Sequence, residues 1–272
     1  MSSRPLPQNS NARPPVITDP LFYLLAIPAV TFLGLSKGGF AGLGMLATPL
    51  LALVLPPLEA AAILLPILIC QDAISVWTYH RHWSAWNLQV LLPGSVLGVG
   101  WLFARFLSNA AIELTVGGIA LAFVLYTWLG AGLRAYLGRG PLKPRRPHAA
   151  MGMVWGALSG FTSTLVQVGG PPFQIHMLPQ RLDKLTLVGT TVIFFAILNV
   201  MKVVPYVALG QFSPRNMVTS LVLLPLAVAT NFLGVWLVHK TPTDRFYTIA
   251  YVLMFLIGSA LVWEGVTTLR QS

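Results

Sequence analysis

Two glycine-rich breaks, one in each half, constrain this chain more than any other feature. Residues 34–44 read GLSKGGFAGLG, with Pro49 shortly after; residues 156–160 read GALSG, followed by Gly169, Gly170, Pro171 and Pro172. Gly34 and Gly156, Gly38 and Gly160, and Pro49 and Pro171 are each 122 positions apart. Both breaks interrupt long apolar stretches. Backbone without intrahelical partners is not tolerated against lipid; it survives at membrane depth only where protein or a water-filled cavity covers it. Broken apolar segments at matching positions of two halves are the sequence sign of a secondary transporter built from internal repeats.

Composition places the chain in a bilayer. Of its 272 residues, 56% are hydrophobic and 9% charged, where a soluble domain carries about 25% charged. The formal net charge of +10 raises nucleic acid as a partner, but no basic stripe with interleaved aromatics is present, and we expect none. The excess gathers at Arg134, Arg139, Lys143, Arg145 and Arg146, a pattern expected of a cytoplasmic loop. A single cysteine, Cys70, excludes an internal disulfide and a cysteine-based metal cluster. Residues 21–33 resemble a signal-peptide core, yet the apolar run continues without a small-residue cleavage site, so a cleaved signal is not expected.

A membrane span needs about 20 apolar residues. Full-length candidates fall near 58–79, 88–104, 112–133, 185–204, 216–238 and 246–267. The stretches 20–55 and 149–180 are too long for one span and barely long enough for two. Each fits a hairpin of two short half-helices that enters and leaves on one side; the alternative is a pair of short spans joined by a tight turn. The expected fold is an all-α polytopic membrane protein of two inverted repeats. Each repeat holds a glycine-broken re-entrant hairpin and three transmembrane helices. The expected divisions are a disordered Pro-rich tail (1–19), a first repeat (20–137), a basic cytoplasmic loop (138–148) and a second repeat (149–268). Cytoplasmic loops would then hold Arg81, Arg181, Lys184, Lys240 and Arg245 beside the central basic cluster, with both termini on the other side of the plasma (inner) membrane. Further matches support the repeat: Leu58-Glu59 with Leu182-Asp183, Leu91-Leu92-Pro93 with Leu223-Leu224-Pro225, and Gly100-Trp101 with Gly234 and Trp236.

On the glycine-rich segments followed by proline at 34–49 and 156–172, the two-fold repeat and the basic central loop, the chain resembles the TauE/SafE sulfite-exporter family over roughly residues 20–268. The resemblance implies a small-anion permease, with sulfite, organosulfonates and related sulfur compounds as substrates.

Lys37 is the first candidate for the substrate site. A lysine inside a membrane segment costs about 2.5–3.5 kcal/mol on insertion scales and usually faces a cavity or a partner. Beside it, Gly38 and Gly39 leave backbone open, and a following half-helix would aim its positive end at the break. Surface snorkelling is the competing reading. The second break carries Ser159 where the first has Lys37, so it shows no basic counterpart. It offers Thr162, Ser163, Thr164, Gln167 and the amides of Gly169 and Gly170 for oxyanion contacts, or hydroxyls that bond back to the helix. The Gly34/Gly38 and Gly156/Gly160 pairs also suit close helix packing. Thr190 and Thr191 form a further polar spot. Asp72 lies well inside the span 58–79; it is read either as a carrier of a coupled proton or as the partner of a lysine or arginine. Ser75 and Asn199 either line a polar path or bond across helices. Lys202, near the end of its span, is read as snorkelling. Glu59 and Asp183 start helices and complement the positive dipole end. His80 and His82 lack other ligands and make a poor metal site, while His176 is read as either a substrate contact or core.

No HExxH, no P-loop and no confident Ser–His constellation is present, so neither an enzyme nor direct ATP drive is expected. No metal or cofactor is called for. The expected function is secondary transport, in the direction of export, of a small anion such as sulfite or an organosulfonate by alternating access. An anion channel and a permease for small carboxylates are the alternatives. The partners are the anionic substrate and the bilayer; oligomeric state is not encoded in any pattern found.

Overall fold

The computed structural model describes residues 16–17, 19–40, 43–98, 109–137, 148–165, 169–208 and 210–271, and all structural statements concern these. Among them the secondary structure is helical, with no strand. The helices are α1 (Pro20–Gly38), α2 (Ala47–Ala52), α3 (Pro57–Tyr79), α4 (Ala85–Gly98), α5 (Asn109–Tyr136), α6 (Ala149–Leu165), α7 (Gly170–Met177), α8 (Lys184–Ala208), α9 (Pro214–Lys240) and α10 (Thr243–Gln271). Short 3-10 turns at Leu43–Leu46 and Leu178–Gln180 flank α2 and α7. Six helices, α1, α3, α5, α8, α9 and α10, are long and apolar enough to cross a membrane. The span expected at 88–104 is described only as far as residue 98, as α4. The central basic segment 138–147 lies outside the described residues.

Local chemistry sets the helix ends. Asp19 accepts a hydrogen bond from the Leu21 amide at 2.9 Å, and Pro20 opens the first turn of α1. Ile17, placed in the expected tail, is buried, and its amide donates to Thr219 Oγ1 at 3.4 Å. The Asp183 carboxylate accepts from the Leu185 amide at 3.0 Å, as the dipole argument expects. At the far end of α9, Lys184 Nζ donates to the carbonyls of Val238, His239 and Thr241. A cation there satisfies acceptors that the helix leaves open.

The broken stretches are less symmetric than two half-helices. α1 runs 19 residues, about 28 Å at 1.5 Å per residue, and α2 only six. α6 runs 17 residues and α7 eight. The reason is sequence: from Pro20 to Leu33 the run is disturbed only by Thr31 and the tolerated Pro28, and the helix passes through Gly34 to end at the Gly38–Gly39 pair. There Gly39 has φ +141°, a backbone that residues with a Cβ rarely adopt.

Two ends of the bundle can be told apart. Tyr79 Oη donates to the Gly38 carbonyl at 2.7 Å, so α1 and α3 finish together. The Ser84 amide donates to Thr190 Oγ1, Tyr247 Oη donates to the Leu182 carbonyl, and Lys184 caps α9. The turns at 80–84, 181–183 and 241–242 therefore share one end, which also carries Arg81, Arg181, Lys184, Lys240 and Arg245. We call it the basic end. Ile17 with Thr219, and Leu65 with Tyr206 and Phe212, mark the opposite end.

α1 packs along α9, α4 along α6, α5 along α10, and α3 lies against both α8 and α9. Glycine makes the first two contacts close. A Cβ at Gly34 would strike Thr230, at Gly38 Gly234, at Gly156 the Leu91 carbonyl, and at Gly160 Ser95. The neighbours are mostly backbone and cannot yield. We expect Gly156→Leu to prevent stable α4–α6 packing and lower the unfolding temperature in detergent, overpacking typically costing about 1–3 kcal/mol or more. Gly130→Ala, where a Cβ meets open space, should leave it unchanged. Equal behaviour of the two variants would refute the packing role.

Candidate functional site

The two breaks meet at one cavity. It encloses about 760 Å³ of empty space, its mouth included. The first break contributes Ser36, Lys37 and Gly44, with Thr48 from α2; the second contributes Ser163, Gly169 and Gly170. α8 supplies Thr191, Phe195, Asn199 and Lys202, and Leu64 and Leu68 of α3 close an apolar side.

A continuous polar chain crosses this space. Lys37 Nζ pairs with Asp72 Oδ1 at 2.5 Å. Asn199 Nδ2 donates to Asp72 Oδ2 at 2.7 Å. Lys202 Nζ donates to Asn199 Oδ1 at 3.3 Å and to Ser163 Oγ at 2.9 Å. Four helices, α1, α3, α8 and α6, are thus joined through five side chains. The orientation of the Asn199 amide follows from chemistry, since a carboxylate only accepts and an ammonium only donates. Lys37 sits in the last turn of α1, where the negative dipole end favours a cation, and its Nζ lies 6.0 Å from the Phe195 ring centre. Ser75 Oγ lies 2.9 Å from the Lys37 carbonyl, within donating reach, so α3 holds Lys37 by backbone as well as by charge.

The residues expected at the site separate into groups. Lys37, Gly169, Gly170 and Thr191 line the cavity, and Asp72 is held at its edge by Lys37 and Asn199. Gly39 lines a smaller neighbouring cavity that also includes Thr191. Gly38 serves packing against Gly234 and accepts from Tyr79. Thr190 lies elsewhere: it donates to the Thr186 carbonyl and accepts from the Ser84 amide, anchoring the turn before α4. Gln167 lies outside the described residues. The helix start that faces the cavity is that of α7, at Gly169–Gly170; α2 follows the first break only after a 3-10 turn. Ser159 donates to the Gly169 carbonyl at 2.6 Å and closes the second break on itself. Thr162 and Thr164 bond back to helix carbonyls. His176 belongs to a separate buried cluster: its Nε2 lies 2.9 Å from Asn87 Oδ1, and Gln180 exchanges hydrogen bonds with Asn87.

Lys202 overturns its sequence reading. It is 1% exposed, inside the bundle rather than snorkelling. The expected span ended at 204, which put the lysine at its edge; α8 runs on to Ala208 and carries Lys202 inside. The cost of a lysine within an apolar helix, which singled out Lys37, was the signal that applied here too. Lys202 supplies the cation that the second break lacks in its own sequence.

The fold and this site define a multi-pass helical membrane protein with a lysine-bearing internal cavity. The model of the sulfite exporter TauE/SafE family matches residues 26–261, and the chain belongs to that family. It is a family of membrane transporters rather than enzymes, and it points to export of sulfite or a related anion. No curated protein and no solved structure matches the chain.

Proposed function

We propose that the chain exports a small oxyanion, sulfite or an organosulfonate, across the plasma membrane by alternating access. The observation that carries the reading is the cavity shared by both breaks and walled by two lysines, Lys202 buried and Lys37 partly buried. An oxyanion there accepts from Lys37, Lys202 and Ser163 and meets the start of α7 at Gly169 and Gly170, where open amides and the dipole favour negative charge. Thr191 borders the same space; Gln167, in the same break, remains part of the proposed set. The helix pairings support a two-fold relation between halves, because exchanging the halves turns the α1–α9 contact into the α6–α4 contact and leaves α5–α10 and α3–α8 in place. Inverted repeats around a midplane site are the architecture of alternating access. The basic end is the cytoplasmic one, by the positive-inside rule, which leaves both termini outside. Asp72 carries a proton where coupling is used; its carboxylate is the one acidic group in the polar chain of the cavity.

The test is flux in proteoliposomes loaded with sulfite, a sulfonate or a small carboxylate. We expect saturable efflux of sulfite or the sulfonate, at a turnover far below channel rates. Transport of the carboxylate alone would overturn the substrate class, and unsaturable conduction would replace the transporter by a channel.

A further inference from the structure

One stripe of α8 lines two cavities. Leu187, Val188 and Thr191 face a smaller one, and Thr191, Phe195, Asn199 and Lys202 face the charged one. Steps of three and four residues keep these side chains on one helix face. The smaller cavity, about 370 Å³ of empty space, lies toward the basic end: its walls are the opening turns of α8 and the first half of α10, at Phe246, Ala250 and Leu253. Among the described residues no charged side chain lines it; Gln174 and Thr191 are its polar side chains. Phe40, the residue after Gly39, lines it too and sits against Phe246, with ring centres 6.0 Å apart.

We propose that the two cavities are one interrupted path, and that the smaller is its shut apolar gate at the basic end, with Phe40 as the gating residue. The proposal rests on the anion-site reading above. An anion that leaves the lysines for this chamber finds no countercharge, and moving an ion into apolar surroundings is costly. Apolar constrictions gate by excluding water. The gate is tied mechanically to the site. Phe40 follows Lys37 by three residues; its amide donates to the Leu35 carbonyl at 3.1 Å, and the Gly38 carbonyl between them is held by Tyr79. A shift of the end of α1 that carries Lys37 therefore carries Phe40 with it.

The test needs no substrate to read the gate. Thr191→Cys is placed in a Cys70→Ser background, since Cys70 is exposed and is the chain's one thiol. A membrane-impermeant thiol reagent is applied from the basic side in proteoliposomes, to the Thr191→Cys protein and to the same protein carrying Phe40→Ser or, on the opposite wall, Leu253→Ser. Wetting an apolar constriction should raise the modification rate about tenfold or more in both gate variants. Binding of sulfite, read as its shift of the unfolding temperature, is measured in separate proteins that keep Thr191 and should survive Phe40→Ser and Leu253→Ser. Unchanged modification in the two variants overturns the gate. Faster modification with no sulfite shift in any protein that keeps Thr191, the one with Phe40 and Leu253 intact included, upholds the gate and removes the anion-site reading. The two failures are therefore distinct.

Discussion

Lys202→Ala should abolish sulfite binding and efflux while the protein still folds. The ammonium is almost wholly buried at the cavity wall, 1% exposed, and it bonds Ser163 and Asn199. Truncating one partner of a buried hydrogen-bonded charge contact costs about 2–5 kcal/mol, or ~30-fold and upward in affinity. Folding should be spared because Ser163 and Asn199, among the groups it leaves, are neutral and border space that water can fill. Lys202→Arg should restore part of the affinity, since a planar fork replaces a compact charge. Near-normal sulfite efflux from Lys202→Ala vesicles would remove this lysine from the site.

Lys37→Ala should act differently, on folding as well as transport. It strands the Asp72 carboxylate, which is 4% exposed, with Asn199 as its remaining hydrogen-bond donor. Breaking a buried ion pair from one side costs about 3–5 kcal/mol. The double variant Lys37→Ala/Asp72→Asn should recover most of that stability and none of the transport. A double variant no more stable than the single one would show that the pair contributes little. Asp72→Asn alone keeps both lysines, so anion binding should persist while the response of efflux to an imposed pH gradient disappears. Export is already favoured by an inside-negative potential, worth about 2.3 kcal/mol per charge per 100 mV. If the Asn variant answers a pH gradient as the parent does, Asp72 is a structural partner of Lys37, and potential-driven movement is the better account.

Much of this was legible in the chain. The glycine breaks, their spacing and the apolar stretches identified a helical membrane protein and the segments that meet at the cavity. The rule that membrane lysines face cavities or partners identified Lys37. What escaped was of two kinds. Helix ends were misjudged by a few residues, and at Lys202 those residues decided between lipid surface and bundle interior. Partners distant in sequence were legible only as a type: a lysine or arginine was one expectation for Asp72, but nothing singled out Lys37, 35 positions away, or Asn199, 127 positions away. The proposed counterparts in α4 and α9 also need revision if the breaks correspond. Gly156 meets Leu91 where Gly34 meets Thr230, two helical turns beyond Leu223. The Leu-Leu-Pro match was thus a likeness of composition rather than of packing.

The polar chain across the cavity also imposes an order on biosynthesis. α8 brings Asn199 and Lys202 into the bilayer after α3 and α6 have been made, so Asp72 and Ser163 already stand ready as partners. Lys37 has no such advantage. It leaves the ribosome before Asp72, and in the proposed orientation the end of α1 keeps its ammonium near the cytoplasmic surface until α3 arrives. The ion pair that later closes the site is then also what draws the tip of α1 into its final depth. In the proposed orientation, nascent chains halted when Lys37 but not α3 has left the ribosome should leave Lys37 reachable by amine reagents from the cytoplasm, and chains halted after α3 has emerged should hide it.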